Sequence, residues 1–172
     1  KVETAGGASS YGQPDELSVE SGVTAMTSRA DGSGYWIATS DGTVLNFGAA
    51  SHFGDMSAVT LNKPVVGMAP TQTGNGYWLV ASDGGIFSFG DAVFYGSTGA
   101  LVLNSPIVDM TASTTGAGYW LVAADGGVFS FGDAVFYGST GNLVLNRPIV
   151  GMLSTRSSLG YWLLADDGGI FT

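Results

Sequence analysis

Four tryptophans at regular spacing are the residues with the clearest potential to bind a ligand. Each lies 42 residues after the one before it: Trp36, Trp78, Trp120 and Trp162. An indole ring can stack on the C–H face of a sugar while Asp or Asn binds the hydroxyl groups, and several weak sites of this kind gain avidity. The opposite interpretation is that all four rings are core residues, because large aromatic side chains are mostly buried.

The same interval separates four aspartates, each followed by glycine: Asp41, Asp83, Asp125 and Asp167. Their carboxylates could bind sugar hydroxyls, but a calcium site needs several oxygen ligands that converge on one point, and each turn supplies one aspartate. We therefore expect the carboxylates to accept hydrogen bonds from backbone N–H groups of their own turns. No cofactor is expected, although a calcium ion held by backbone carbonyls in a central channel would leave no signature in the sequence.

The single histidine, His52, stands where other repeats carry Phe94 and Phe136. It could serve as a general base or ligand contact with Asp55 nearby, whereas the adjacent Ser51 would point to the opposite side of a strand. A lone histidine in place of a packed aromatic is more typical of a structural substitution. No nucleophile elbow, Walker loop or metal-binding motif accompanies it, so a non-catalytic protein is expected.

Short β-strands are the elements that must position these residues. Asp83-Gly84-Gly85 separates two aromatic runs, which is typical of a hairpin turn, and a second turn follows at Gly90-Asp91-Ala92. The predicted strands are 76–82, 86–89, 92–97 and one that begins at Ile107. Each unit is therefore expected to be a four-stranded antiparallel meander.

These strands are apolar on both faces. Tyr77 and Leu79 point to one side of their strand, while Trp78 and Val80 point to the other. A sheet that is apolar on both faces must be covered on both faces. Stacking such sheets around an axis meets this requirement and fits the 42-residue period, so the sequence predicts an all-β protein of the β-propeller type.

The repeat has a specific motif. Residues 76–97 read Gly-Tyr-Trp-Leu-Val-Ala-Ser-Asp-Gly-Gly-Ile-Phe-Ser-Phe-Gly-Asp-Ala-Val-Phe-Tyr-Gly-Ser, and residues 118–139 are almost the same. This motif resembles a repeat of secreted and cell-surface proteins of actinobacteria, and the resemblance spans essentially the whole chain. It implies a propeller-like module located outside the cell or on its surface, with no defined reaction. The first unit departs from the pattern at Thr43, Ala49 and His52.

The two ends of the chain are predicted to complete each other within a single domain, 1–172. Three whole blades are expected at 22–63, 64–105 and 106–147. Residues 148–172 supply the inner strands of a composite blade, and 1–21 supply its outer strands, since Tyr11 aligns with Tyr95 after a shift of two periods. Val2, Glu3 and Thr4 align with Ile170, Phe171 and Thr172, so the N-terminus is expected to supply the part of the blade that the last unit lacks. Pairing of the first and last strands in this shared blade would close a ring of four blades and remove exposed edges. The alternative is an eight-bladed ring in which two chains exchange their half-blades.

Composition excludes several partners. The chain carries a formal net charge of −9, with 5 basic and 14 acidic residues and no cysteine. Nucleic acids and anionic membranes require clustered Lys and Arg, so neither is expected. No apolar stretch reaches the roughly 18–20 residues of a membrane span, so no membrane insertion is expected.

Three functional hypotheses follow from the sequence. The first is a secreted, non-catalytic module that binds carbohydrate or cell-wall glycan through the repeated aromatic and Asp/Asn residues. The second is a structural or protein-interaction scaffold with no small ligand. The third is an enzyme with a single site in the divergent blades near His52. The expected partner is a glycan or a protein, and the chain is expected to be a monomer or a strand-exchanged homodimer.

Overall fold

The computed structural model describes residues 7–13 and 21–172, and within these residues all regular structure is β. The strands form four antiparallel sheets of three strands each. Sheet 1 contains β1 (Val23–Ser28), β2 (Gly34–Thr39) and β3 (Val44–Gly48). Sheet 2 contains β4 (Val65–Pro70), β5 (Gly76–Ala81) and β6 (Ile86–Gly90). Sheet 3 contains β7 (Ile107–Ala112), β8 (Gly118–Ala123) and β9 (Val128–Gly132). Sheet 4 contains β10 (Ile149–Ser154), β11 (Tyr161–Ala165) and β12 (Ile170–Phe171). The described residues include no helix long and apolar enough to cross a membrane.

The prediction of a strand at 92–97 was wrong, and each sheet has three strands where four were expected. The strands predicted at 76–82, at 86–89 and from Ile107 are confirmed as β5, β6 and β7, although β7 belongs to the next sheet. The polar backbone groups of 92–97 are bound by side chains instead of by a neighbouring strand. Val93 O accepts the Trp78 indole N–H at 2.8 Å, and Tyr95 N donates to the Tyr119 hydroxyl at 3.1 Å. We call 49–64, 91–106 and 133–148 the outer connections, because each joins the third strand of one sheet to the first strand of the next.

The Asp-Gly turns form as predicted. Gly84 has a φ of +79°, which only glycine adopts readily. A Cβ at this position would also overlap with the hydroxyl oxygen of Thr98. The turn therefore requires glycine both for its backbone conformation and for the close approach of the outer connection.

The first strands of the sheets lie in a row, in the order β1, β4, β7 and β10. Backbone hydrogen bonds tie each sheet to the next: Val65 N to Ser40 O, Ile107 N to Ser82 O, and Ile149 N to Ala124 O. Within the described ranges, β10 makes no comparable contact with β1, and no ladder joins β12 to residues 7–13. Residues Val2–Thr4 lie outside the described part of the chain, so closure of the ring by these residues remains a prediction.

Trp and Tyr on the middle strands hold neighbouring sheets together. Since the two are adjacent, they point to opposite faces, and we call these the Trp face and the Tyr face of a sheet. The ring centroids are 5.7 Å apart for Trp36 and Tyr77, 5.6 Å for Trp78 and Tyr119, and 5.8 Å for Trp120 and Tyr161. Three equivalent apolar interfaces therefore form the core.

A tyrosine hydroxyl fastens the outer connection at each of these interfaces. Tyr77 donates to Gly54 O at 2.6 Å and accepts the N–H of Phe53 at 3.2 Å. Tyr119 makes the same pair of bonds with Gly96 O and Tyr95 N. Burial raises the pKa of Tyr77 to about 12, so its hydroxyl keeps its proton at neutral pH.

We expect Tyr119→Phe to lower the free energy of unfolding by about 2 kcal/mol, because Gly96 O and Tyr95 N lose their shared partner. Urea unfolding followed by tryptophan fluorescence measures this change. Tyr95→Phe is the matched control: it loses only a 3.3 Å bond to Gly116 O, and Phe53 already occupies the equivalent position. The control should cost less than about 1 kcal/mol, and equal effects of the two variants would contradict this account.

Candidate functional site

Three of the four candidate tryptophans lie inside the core. Trp36, Trp78 and Trp120 are 0% exposed. Their indole N–H groups donate to backbone carbonyls of the outer connections at 2.8 Å, namely Ser51, Val93 and Val135. Both the rings and their donors are therefore occupied by the protein itself, and these three residues act in packing.

Trp162 is different, because 42% of it is exposed. It lies on the Trp face of sheet 4, directly opposite Leu153 in the strand register, and Leu164 lies opposite Ile170 on the same face. We call these four exposed residues the terminal Trp face. One cleft on this face is lined by these four residues together with Asp109. Another cleft, of about 410 Å³, lies between the Tyr face of sheet 4 and the outer connection 133–148. Aromatic and hydroxyl side chains line this second cleft, including Tyr137, Thr140, Thr155, Phe171 and Thr172.

The four turn aspartates close their own turns, as the sequence predicts. Asp83, Asp125 and Asp167 accept the backbone N–H two residues later at 2.9, 2.9 and 3.0 Å. Asp41 accepts the N–H of Thr43 at 3.1 Å and also hydroxyl groups from Thr39 and Ser21. The hydrogen bond from Thr39, supported by Ser21 and Thr43, holds the pKa of Asp41 well below its usual range.

The part of the chain that the structure describes contains no group of three or more His, Cys, Asp or Glu side chains that could hold a metal ion. The turn aspartates therefore do not converge with one another there.

His52 lies at the surface, with 44% of its side chain exposed. Its Nε2 is 3.4 Å from Asp55 Oδ2. Burial opposes ionisation of Asp55, but hydrogen bonds from Ser57, Val44 and His52 outweigh it and lower the pKa of this carboxyl. The Ser57 hydroxyl donates to Asp55 rather than to His52. The structure thus brings a carboxylate to His52, as the enzyme hypothesis requires, but aligns no serine nucleophile with the imidazole.

Asp109 on β7 is a polar residue that sequence reasoning missed. It is largely buried and accepts the N–H of Met110 at 2.8 Å and that of Met152, on β10, at 2.9 Å. Burial raises the pKa of its carboxyl, although the two N–H groups counteract this. A Cβ added to Gly67 would lie 3.2 Å from the carboxylate. The sequence does contain a signal for this residue, because Asp109 interrupts the repeat: the same position in the other units is occupied by Ala25, Gly67 and Gly151.

The outer connections carry a second feature that was missed, namely exposed apolar side chains. After β6 these are Val93, Phe94, Leu101 and Val102, and after β9 they are Val135, Phe136, Leu143 and Val144. Each of the eight is more than half exposed, and Val102 and Val144 are fully exposed. The twice-repeated Leu-Val-Leu-Asn motif was the available signal.

Comparison with models of known protein families gives no match for this chain, and a search of curated proteins gives none either. The resemblance to actinobacterial repeats remains a prediction.

The raised pKa of Asp109 predicts a specific pH dependence. Because the folded chain binds this proton more tightly than the unfolded chain, the group's contribution is fully present below the ordinary pKa of 3.8 and is lost as pH rises through the folded pKa. Relative to Asp109→Ala, which introduces the residue found at position 25, the wild-type protein should therefore lose free energy of unfolding as the pH rises above the ordinary pKa of 3.8.

Urea unfolding of both proteins at a series of pH values checks this expectation. The expectation would be contradicted if the difference in free energy of unfolding between wild type and Asp109→Ala stayed constant, or if it grew in favour of the wild type as the pH rises.

Proposed function

We propose that the chain is a β-propeller-type repeat module that acts as a non-catalytic protein-interaction scaffold outside the cell. The propeller assignment is supported by the row of first strands and by the three equivalent interfaces between sheets. The location rests on the resemblance of the repeat to extracytoplasmic proteins.

One observation carries the scaffold function: apolar side chains are exposed at the same positions in two outer connections. A soluble protein does not need Val102 or Val144 in full contact with water, and clustered exposed apolar residues usually mark interaction sites. The net charge of −9 disfavours an anionic lipid surface as the partner. A protein partner that buries these side chains fits both facts.

The groups that could have served a repeated small-ligand site are used inside the fold. Three indole rings lie between sheets, and the four turn aspartates accept hydrogen bonds within their own turns. The repetition of Trp and Asp is therefore explained by folding, whereas the repetition of exposed Leu and Val is not.

A photo-crosslinking amino acid at position 102 or 144 should capture a discrete protein from the secreted and surface proteins of the source organism. Position 104, an exposed asparagine in the same connection, is the matched control. The double variant Phe94→Ser/Phe136→Ser should abolish the product, and it should change stability by less than about 1 kcal/mol because both rings are exposed. Identical products from position 104, or no discrete product, would contradict the proposal.

A second candidate function, glycan binding, is favoured by the half-exposed indole ring of Trp162 on the terminal Trp face. An exposed indole ring suits stacking on a sugar, and the Asp109 carboxylate lines the same cleft as Trp162. It would be a single site and not a repeated one.

Soluble N-acetylglucosamine oligomers at millimolar concentration test this second candidate. If the cleft binds sugar, they should shift the tryptophan emission and protect it from acrylamide, and Trp162→Phe should remove the response. Trp78→Phe is the control, because its ring is buried and the glycan response should persist. Unchanged emission would exclude these oligomers as ligands.

A further inference from the structure

Sheet 1 and sheet 4 each have one exposed face, whereas the equivalent faces of the other sheets are covered. Trp162 is 42% exposed, whereas the equivalent Trp36, Trp78 and Trp120 are 0% exposed. On the Tyr face of sheet 1, Met26 is 61% exposed, whereas Met68, Met110 and Met152 are 6%, 3% and 7% exposed. Val23 is likewise 53% exposed, against 0–1% for Val65, Ile107 and Ile149. One end therefore has an uncovered Trp face and the other an uncovered Tyr face.

The Tyr face of sheet 1 is already arranged as half of an interface. Tyr35 donates to Gly12 O at 2.5 Å and accepts the N–H of Tyr11 at 3.3 Å. These bonds repeat those that Tyr119 makes with the outer connection of sheet 2. The Tyr11 and Tyr35 rings lie 6.0 Å apart, compared with 5.9 Å for Tyr95 and Tyr119. Residues 7–13 thus occupy the place of an outer connection on sheet 1.

The element that completes such an interface elsewhere is a Trp face. In each of the three interfaces, the indole packs on the tyrosine and donates its N–H to a carbonyl of the outer connection. Ser9 holds the position equivalent to Ser51, Val93 and Val135. Trp162 is the tryptophan that the chain leaves exposed, so Trp162 and the pair Tyr35 and Ser9 are complementary.

The backbone at the two ends is complementary as well. Ser40 O, Ser82 O and Ala124 O each accept the N–H of the first residue of the next sheet at 2.8–2.9 Å. The equivalent groups at the ends are Asp166 O on sheet 4 and Val23 N on sheet 1. The four residues of the terminal Trp face are uncharged, and the Asp109 carboxylate beside them already accepts the N–H groups of Met110 and Met152. Association therefore buries no unpaired side-chain charge on this face.

We propose that the terminal Trp face binds the Tyr face of sheet 1 in a second copy of this chain, and that two copies close a ring of eight sheets. The inference rests on the propeller-type architecture proposed above and names a partner for its ends. Both faces are exposed in the part of the chain that the structure describes, and the interfaces between neighbouring sheets show what covers the equivalent faces. Two copies satisfy both ends at once, and eight lies within the usual range of four to eight blades.

The molar mass in solution, measured by analytical ultracentrifugation over a range of concentrations, tests the proposal on the full chain. We expect twice the mass of one chain. Because the contact is apolar and the two chains carry like net charge, added salt should strengthen the association. Trp162→Glu and Met26→Glu, one on each face, should each weaken it by about 100-fold.

Mixing these two variants gives the sharpest readout. Each variant keeps one intact face, so an equimolar mixture should form a heterodimer through a single intact interface, while each variant alone stays monomeric. Recovery in the mixture shows that both variants are folded. Val144→Glu, on an outer connection, is the control and should leave the doubled mass unchanged.

A monomer at all concentrations, a doubled mass that survives both face variants, or open-ended assemblies would overturn the proposal. A monomer whose Trp162 is protected from acrylamide would also overturn the proposal, because this result would indicate closure within one chain. Protection of Trp162 by a glycan, without a change in molar mass, would overturn it as well. The proposed scaffold function and the proposed ring can fail separately. A doubled molar mass without a crosslinked product at positions 102 and 144 would refute only the scaffold function. A crosslinked product from a chain that is monomeric would refute only the ring of two copies.

Discussion

The contact between a tryptophan of one sheet and a tyrosine of the next is the interaction on which the rest of the structure depends. A three-stranded sheet that is apolar on both faces cannot be stable alone in water, so each sheet requires a neighbour on either side. The ring pairs supply large buried area together with a fixed geometry, at centroid distances of 5.6–5.8 Å. The tyrosine hydroxyl then binds the outer connection of the preceding sheet, so packing and hydrogen bonding act at the same place.

This constraint determines which groups are available for function. Ring faces and indole donors that could have met a ligand are buried between sheets in three of the four units. The Asp-Gly turns use their carboxylates to satisfy backbone N–H groups, which a buried or tight turn needs in any case. The apolar part of the outer connections and the two end faces are exposed, and clustered exposed apolar residues usually mark interaction sites.

Asp109 shows how one residue can differ within a regular array. The equivalent positions carry alanine or glycine, and the small residue at Gly67 leaves room beside the carboxylate. The carboxylate joins β7 to β10 by accepting the N–H of Met152. It thereby adds a polar link between neighbouring first strands. The carboxyl is harder to ionise in this largely buried site, because burial disfavours its charged form.

Sequence patterns correctly predicted the all-β class, the 42-residue repeat, three strands of each unit and the hairpin turns, because turn chemistry and strand alternation act over a few residues. Positive φ at Gly84 and the opposite orientation of Tyr77 and Trp78 are of this local kind. Long-range packing determines that 92–97 is not a strand, that Asp109 bridges two sheets, and that Trp162 is exposed while its three equivalents are buried. Four identical tryptophans cannot reveal this difference in a sequence, since burial depends on whether another sheet, distant along the chain, covers the ring.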